Sequence, residues 1–158
     1  ALLAAKDLNN LLSVLVNTLH DGGGFTRVAL ALLNPGDTDQ LLGRVVVGVD
    51  VPEQYLASFT GSLSAEHPLF LHALKQQDPF LLSQASTDGP RALGSRFLTT
   101  WQTSSAILAP IRIGIRPIGL LYSDHGPLPG QVTSQDLQSF QLFFGQAILS
   151  LNRLAGVL

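Results

Sequence analysis

The side chains with the most chemistry to offer are four histidines, the arginines of the middle segment and a group of aromatics. His67 and His72 lie five apart, a spacing that does not bring two imidazoles onto one helical face as a zinc pair requires. Asp124-His125 has the residue types of a proton-transfer pair, but neighbours along a strand point to opposite faces, so a loop position explains it better. No Gly-x-Ser-x-Gly elbow, Walker loop or Gly-x-Gly-x-x-Gly fingerprint occurs. Gly22-Gly23-Gly24 lacks the lysine and spacing of a phosphate loop and reads as a helix stop. No catalytic residue and no metal ligand is expected.

Binding is the better prospect. The middle segment supplies Arg91, Arg96, Phe97, Trp101, Ser104 and Ser105. Together with Phe70, Phe80 and Tyr122 these would line a pocket with an aromatic floor and one or two guanidinium groups, suited to a small anionic or planar ligand. The competing reading is that the aromatics fill the space between loop and sheet while both arginines lie in water, since large rings are most often buried for packing alone.

The elements that must position these residues follow from hydrophobic periodicity. Leu8, Leu11, Leu12, Leu15, Val16 and Leu19 recur at three- and four-residue spacing, one face of a helix that Asp21-Gly22-Gly23-Gly24 ends. Phe25 to Leu33 is apolar and short, a strand buried on both faces, and the turn Asn34-Pro35-Gly36-Asp37 leads to a partner strand at Leu41 to Val49. Pro52 opens a short helix, Phe59 to Leu63 reads as a brief strand, and Pro68 to Gln77 reads as a helix that Asp78-Pro79 breaks. Phe80-Leu81-Leu82 follows as a short strand. Ser83 to Ser104 is a long polar loop with a helical insert near Pro90 to Thr99. Ser105 to Ile113 and Ile118 to Ser123 form a second hairpin around Gly114-Ile115-Arg116-Pro117. Thr133-Ser134-Gln135-Asp136 then caps a long final helix with Leu137, Phe140, Phe144, Ala147, Ile148, Leu151 and Ala155 on one face.

Composition sets outer bounds. A chain of 158 residues is about one domain in size. Only 13% of its residues are charged, about half the usual ~25%, so much of the surface is neutral or apolar and suited to meeting another protein. Nine basic and eleven acidic residues are scattered at a net charge of −2, leaving no positive field to gather nucleic-acid phosphates. Apolar runs stop at six residues, such as Val28 to Leu33, against the ~20 that span a bilayer. There is no cysteine, hence no disulfide and no thiolate nucleophile or ligand.

The order helix, hairpin, helix-containing middle, hairpin, long helix resembles the GAF domain family over nearly the whole chain. The specific stretch is Leu108-Ala109-Pro110-Ile111, through Gly114-Ile115-Arg116-Pro117-Ile118-Gly119-Leu120-Leu121-Tyr122, to Thr133-Ser134-Gln135-Asp136-Leu137. The resemblance implies an α+β fold: a central antiparallel sheet of about six strands, terminal helices on one face, and a small-molecule pocket under loops and short helices on the other. It further implies a single domain over residues 1–158, a segment of a larger cytoplasmic signalling protein, coupled to an output domain and often dimeric through its terminal helices. None of the eight phenylalanines opens the Phe-x-x-x-Asp-Glu motif of cyclic-nucleotide binders. Without cysteine, covalent bilin attachment and the family's methionine sulfoxide reductase activity are excluded. No cofactor is expected.

Leu142, Leu149 and Gly156 form a second, outward stripe on the last helix, while Leu3 and Val14 lie off the main face of the first. A covering helix has no use for such a stripe unless another surface meets it, so a homodimer through the terminal helices is expected. Scattered surface leucine is the alternative.

Overall fold

The computed structural model describes residues 5–82, 93–127 and 131–157. Leu3 and Arg91 lie outside the described residues, as does the first part of the expected polar loop, residues 83–92. Helix α1 (Ala5–Asn17) ends in a π-helical turn over Thr18–Gly22 and leads into strands β1 (Arg27–Asn34) and β2 (Asp37–Val47). Helix α2 (Pro52–Phe59), the two-residue strand β3 (Gly61–Ser62), helices α3 (Leu63–Glu66) and α4 (Pro68–Leu74) and strand β4 (Phe80–Leu82) make up the middle. Helix α5 (Ser95–Trp101), strands β5 (Ala106–Ile113) and β6 (Arg116–Asp124) and helix α6 (Ser134–Leu154) complete the chain.

The six strands form one antiparallel sheet in the order β3-β2-β1-β6-β5-β4. Both expected hairpins are present, each turning more tightly than the sequence suggested. Asn34 pairs with Asp37, so β2 starts four residues before Leu41. The turn holds because the Asn34 side chain accepts the Gly36 N–H at 2.9 Å, a local bond open to Asn in turns. In the second hairpin only Gly114 and Ile115 lie between the paired Ile113 and Arg116. Gly114 takes φ 62°, where a side chain would be strained. Gly119 lets two strands close up, since a Cβ there would stand 2.5 Å from the Ala31 carbonyl oxygen. Several boundaries differ from expectation: β1 starts at Arg27 rather than Phe25, β2 ends at Val47 rather than Val49, Phe59 belongs to α2 and Leu63 to α3, leaving a strand of two residues, α4 ends at Leu74 rather than Gln77, and the helical insert expected near Pro90 to Thr99 is Ser95–Trp101.

Alternation along the strands separates two cores. Val28, Leu30, Ile107, Ala109, Ile111 and Leu121 face α1 and α6, where Leu12, Leu15, Val16, Phe140, Phe144 and Leu151 cover them. Ala29, Ala31, Leu41, Ala106, Leu108, Leu120 and Tyr122 face the opposite way, toward α2, α4 and α5. Every residue expected on the inner face of the first helix from Leu8 to Leu19 contributes to the first core.

Helix α6 is held at both ends. At its start Thr133 and Asp136 form a reciprocal capping box, with Asp136 N to Thr133 Oγ1 at 3.1 Å and Thr133 N to Asp136 Oδ2 at 2.8 Å. Near its end the buried Asn152 accepts the Gly114 N–H at 2.7 Å and donates to the Arg112 carbonyl at 3.1 Å, pinning the helix to the β5–β6 turn. Leu142 and Leu149 point outward, 71% and 43% exposed, and Val14 on α1 is 61% exposed. Among the described residues no helix is long and apolar enough to cross a membrane.

Candidate functional site

The face of the sheet away from the terminal helices carries an interlocked ring cluster. Phe97 and Trp101 sit one turn apart on α5 and stack at 5.2 Å with planes 7° apart. Phe59, at the end of α2, meets Phe97 edge-on at 5.0 Å, Trp101 at 5.4 Å and Phe70 of α4 in a stack at 5.3 Å. Tyr122 comes up from β6 and touches Trp101 at 4.7 Å and Phe97 at 5.4 Å. Room for these rings comes from the small side chains beneath them, Ala29, Ala31 and Ala106. Phe59, Phe97, Trp101 and Tyr122 have no accessible surface, so none borders a void that water can enter.

One polar edge of this cluster is a buried ion pair. Arg27 opens β1 directly opposite Asp124, the last residue of β6. The guanidinium donates through Nε to Asp124 Oδ1 at 2.8 Å and through Nη2 to Oδ2 at 2.6 Å, a bidentate pair. The same Nη2 donates to the Trp101 carbonyl at 2.8 Å, and the guanidinium lies 4.9 Å over the Trp101 ring. Asp124 also accepts from the Tyr122 hydroxyl at 2.6 Å and the Gly126 N–H at 2.9 Å, so its lone pairs are taken up. Burial works against charge on Arg27, but the hydrogen bond to and charge of Asp124 outweigh it and hold the proton more firmly than usual. Burial, reinforced by the Asp124 charge, pushes the Tyr122 phenol well above its ordinary range, leaving it a neutral donor.

Of the residues expected to line a pocket, Phe70, Phe97, Trp101 and Tyr122 are brought together and Phe80 lies at the rim, half-buried and 6.3 Å from the His72 ring. Ser105 is engaged elsewhere, its hydroxyl accepting the Val132 N–H at 2.6 Å on the approach to α6. Arg96 is exposed: it donates to the Ala57 carbonyl at 2.6 Å and lies 3.7 Å from Glu66, which ties α5 to α2 and α3. Two residues of this face went unrecognised in the sequence. Arg27 is buried within what reads as an apolar strand, and only the pairing of β1 with β6 reveals Asp124 as its partner. His67 joins α3 to α4, stacks on Phe70 at 4.9 Å and is buried with neither ring nitrogen bonded. Among the described residues no cluster of three or more His, Cys, Asp or Glu could hold a metal ion.

His125 lies beyond the strand, as its loop position required. Its ring stacks on Phe25 at 5.1 Å, and Nε2 is 3.2 Å from Asp136, the capping residue of α6. Burial raises the Asp136 pKa, but the Thr133 amide and hydroxyl and then His125 prevail and hold it below the usual carboxylate range.

Comparison with protein families matches the GAF domain model over residues 7–151, and the chain belongs to that family. The fold agrees. A methyl-accepting chemotaxis protein segment superposes with a TM-score of 0.73 at 19% identity, covering 94% of this chain and 90% of that one. The GAF domain/HD domain protein of Geobacter sulfurreducens gives 0.70 at 13% identity, with 94% of each chain covered. The GAF domain of a two-component sensor histidine kinase from Bacillus halodurans gives 0.61 at 18% identity, covering 94% and 93%. Comparison with curated protein sequences returns no match.

Proposed function

We propose that this chain is a ligand-sensing regulatory module of a cytoplasmic signal-transduction protein, in which a small molecule entering the aromatic lobe shifts the terminal helices and so informs an attached output domain. The observation that carries this reading is the junction at the end of β6. Arg27 grips the Trp101 carbonyl and Asp124 together, and the very next residue, His125, reaches the capping carboxylate of α6. A molecule that parts Tyr55 from Trp101, now edge-on at 4.8 Å, disturbs the Arg27 contact and with it the start of α6. Coupling of this kind requires the ligand to favour one arrangement over the other. Neighbours described as a chemotaxis protein and a sensor histidine kinase support a signalling role. Neither a covalent bilin, which needs cysteine, nor a nucleic acid enters the reading.

Trp101 is the chain's single tryptophan and therefore its own reporter. A metabolite screen by thermal shift, repeated on Trp101 emission, is expected to yield a compound that both raises the melting temperature and moves the emission. A screen in which no compound does either counts against the sensor reading.

The exposed Leu142 and Leu149 favour a second reading, a homodimerisation scaffold that needs no ligand. Leu142→Glu with Leu149→Glu is then expected to give folded monomers by light scattering. A wild-type chain that is already monomeric at high concentration overturns it.

A further inference from the structure

The opposite face of the sheet, under the terminal helices, holds an open recess. It measures about 210 Å³ and lies between α1 and strands β1 and β2. Its apolar part is Leu12 from the helix, Leu30 and Leu32 from β1, and Val45 from β2. Asn9 and Ser13, four apart on α1 and therefore on one face with Leu12, bring an amide and a hydroxyl to it. Arg44 brings a guanidinium from the other side.

Arg44 is placed there by an irregularity in the sheet. Leu30 pairs with Val45 and Ala31 with Gly43, so two steps along β2 answer one step along β1 and Arg44 has no partner across the ladder. Bulges of this kind turn a side chain out of strict alternation and recur beside functional sites. Here both Arg44 and its neighbour Val45 reach the same recess beneath α1. Val45 supplies wall and Arg44 supplies charge. The recess has no acidic residue in its lining to satisfy that charge.

We infer that this recess is a binding site for a short-chain carboxylate, the carboxylate paired with Arg44 and bonded by Asn9 and Ser13, the hydrocarbon tail against Leu12, Leu30, Leu32 and Val45. A planar, two-pronged anion suits a guanidinium, and a tail suits an apolar floor. The volume equals about seven waters at roughly 30 Å³ each, room for a molecule of about six to eight heavy atoms. The proposal concerns the α1 face and stands whether or not the aromatic lobe takes a ligand.

The probe is sodium hexanoate, with neutral 1-hexanol as control, titrated against the folded chain and followed by methyl NMR. Hexanoate is expected to shift the methyls of Leu12, Leu30 and Val45 saturably. Arg44→Gln, a change at an exposed position that leaves the fold intact by circular dichroism, should weaken hexanoate about tenfold and leave hexanol unaffected. Leu32→Phe, which fills the recess, should weaken both. Shifts scattered over the surface, no saturation at millimolar hexanoate, or equal affinity in Arg44→Gln each overturns the assignment. Trp101 emission, remote from the recess, separates failure here from failure of the sensor reading.

Discussion

The two faces of the sheet are packed on different principles. On the lobe side, small residues in the strands make space for rings on short helices, and the rings lock edge-to-face and in stacks around one buried ion pair. On the helix side, mostly branched residues in the strands meet leucines, a valine and the Phe140 and Phe144 rings on two longer helices, with an unfilled recess under α1. The lobe's rings, at 4.7 to 5.8 Å with set relative orientations, leave few alternative arrangements. Aliphatic side chains between helix and sheet can slide by small increments. The lobe is therefore the stiff half, in which a displaced ring carries its neighbours with it, and the helix side is the half that absorbs small changes in place.

The sharpest way to break that contrast is to cut the lobe's ion pair. Asp124→Ala leaves a buried guanidinium uncompensated and strips acceptors from Tyr122 and Gly126, an expected loss of about 3–5 kcal/mol by urea unfolding. Arg27→Met combined with Asp124→Leu is expected to recover much of the loss, because no isolated charge remains. If Asp124→Ala is as stable as wild type, the junction does not hold the lobe together.

Next in size is truncation of a ring against truncation of a recess wall. Phe59→Ala removes a side chain in contact with four other aromatics and should cost about 3–5 kcal/mol. Leu32→Ala, half-buried beside an existing void, should cost less than about 1.5 kcal/mol. Equal losses would erase the distinction between a stiff lobe and a tolerant helix side. On the helix side Asn152 anchors α6 to the β5–β6 turn, and Asn152→Ala, which orphans the Gly114 N–H, should cost about 1–3 kcal/mol with added hydrogen exchange at that turn.

How far the sequence spoke for itself divides along the same line. The helix side was legible: three-and-four periodicity named the inner residues of α1 and α6, Thr133 and Asp136 named the cap, and the hairpins announced themselves by turn chemistry. These are local signals. The lobe was only half legible, because which rings meet depends on how α2, α4 and α5 cross, and that is set by residues far apart in the chain. The structure brings Phe70, Phe97, Trp101 and Tyr122 together as packed rings, while Phe59, at their centre, reads in the sequence as the start of a strand. Arg27 and Asp124 lie 97 residues apart and became a pair only through the β1–β6 register. Arg44 reads as an ordinary exposed strand residue until the bulge beside it is seen.

The smallest effect tests His67, a buried lobe side chain whose ring nitrogens have no partner. Burial is the main cause that lowers the His67 pKa; the charge of Glu66 opposes it and that of Arg96 adds to it. Above the ordinary imidazole range of about 6.5 the ring is neutral in both the folded and unfolded chain, and His67 adds no pH dependence to stability. As the pH falls below that range the unfolded chain takes up a proton that the folded lobe refuses, so stability declines until the lowered folded pKa is reached. Wild type should therefore lose more stability between about pH 7.5 and pH 5 than His67→Phe, measured by urea unfolding at each pH. Carboxylates elsewhere titrate in both proteins and cancel in the difference. A difference of the opposite sign would mean that the folded ring gains a partner on protonation, and the lobe would then be polar where the rings indicate it is closed.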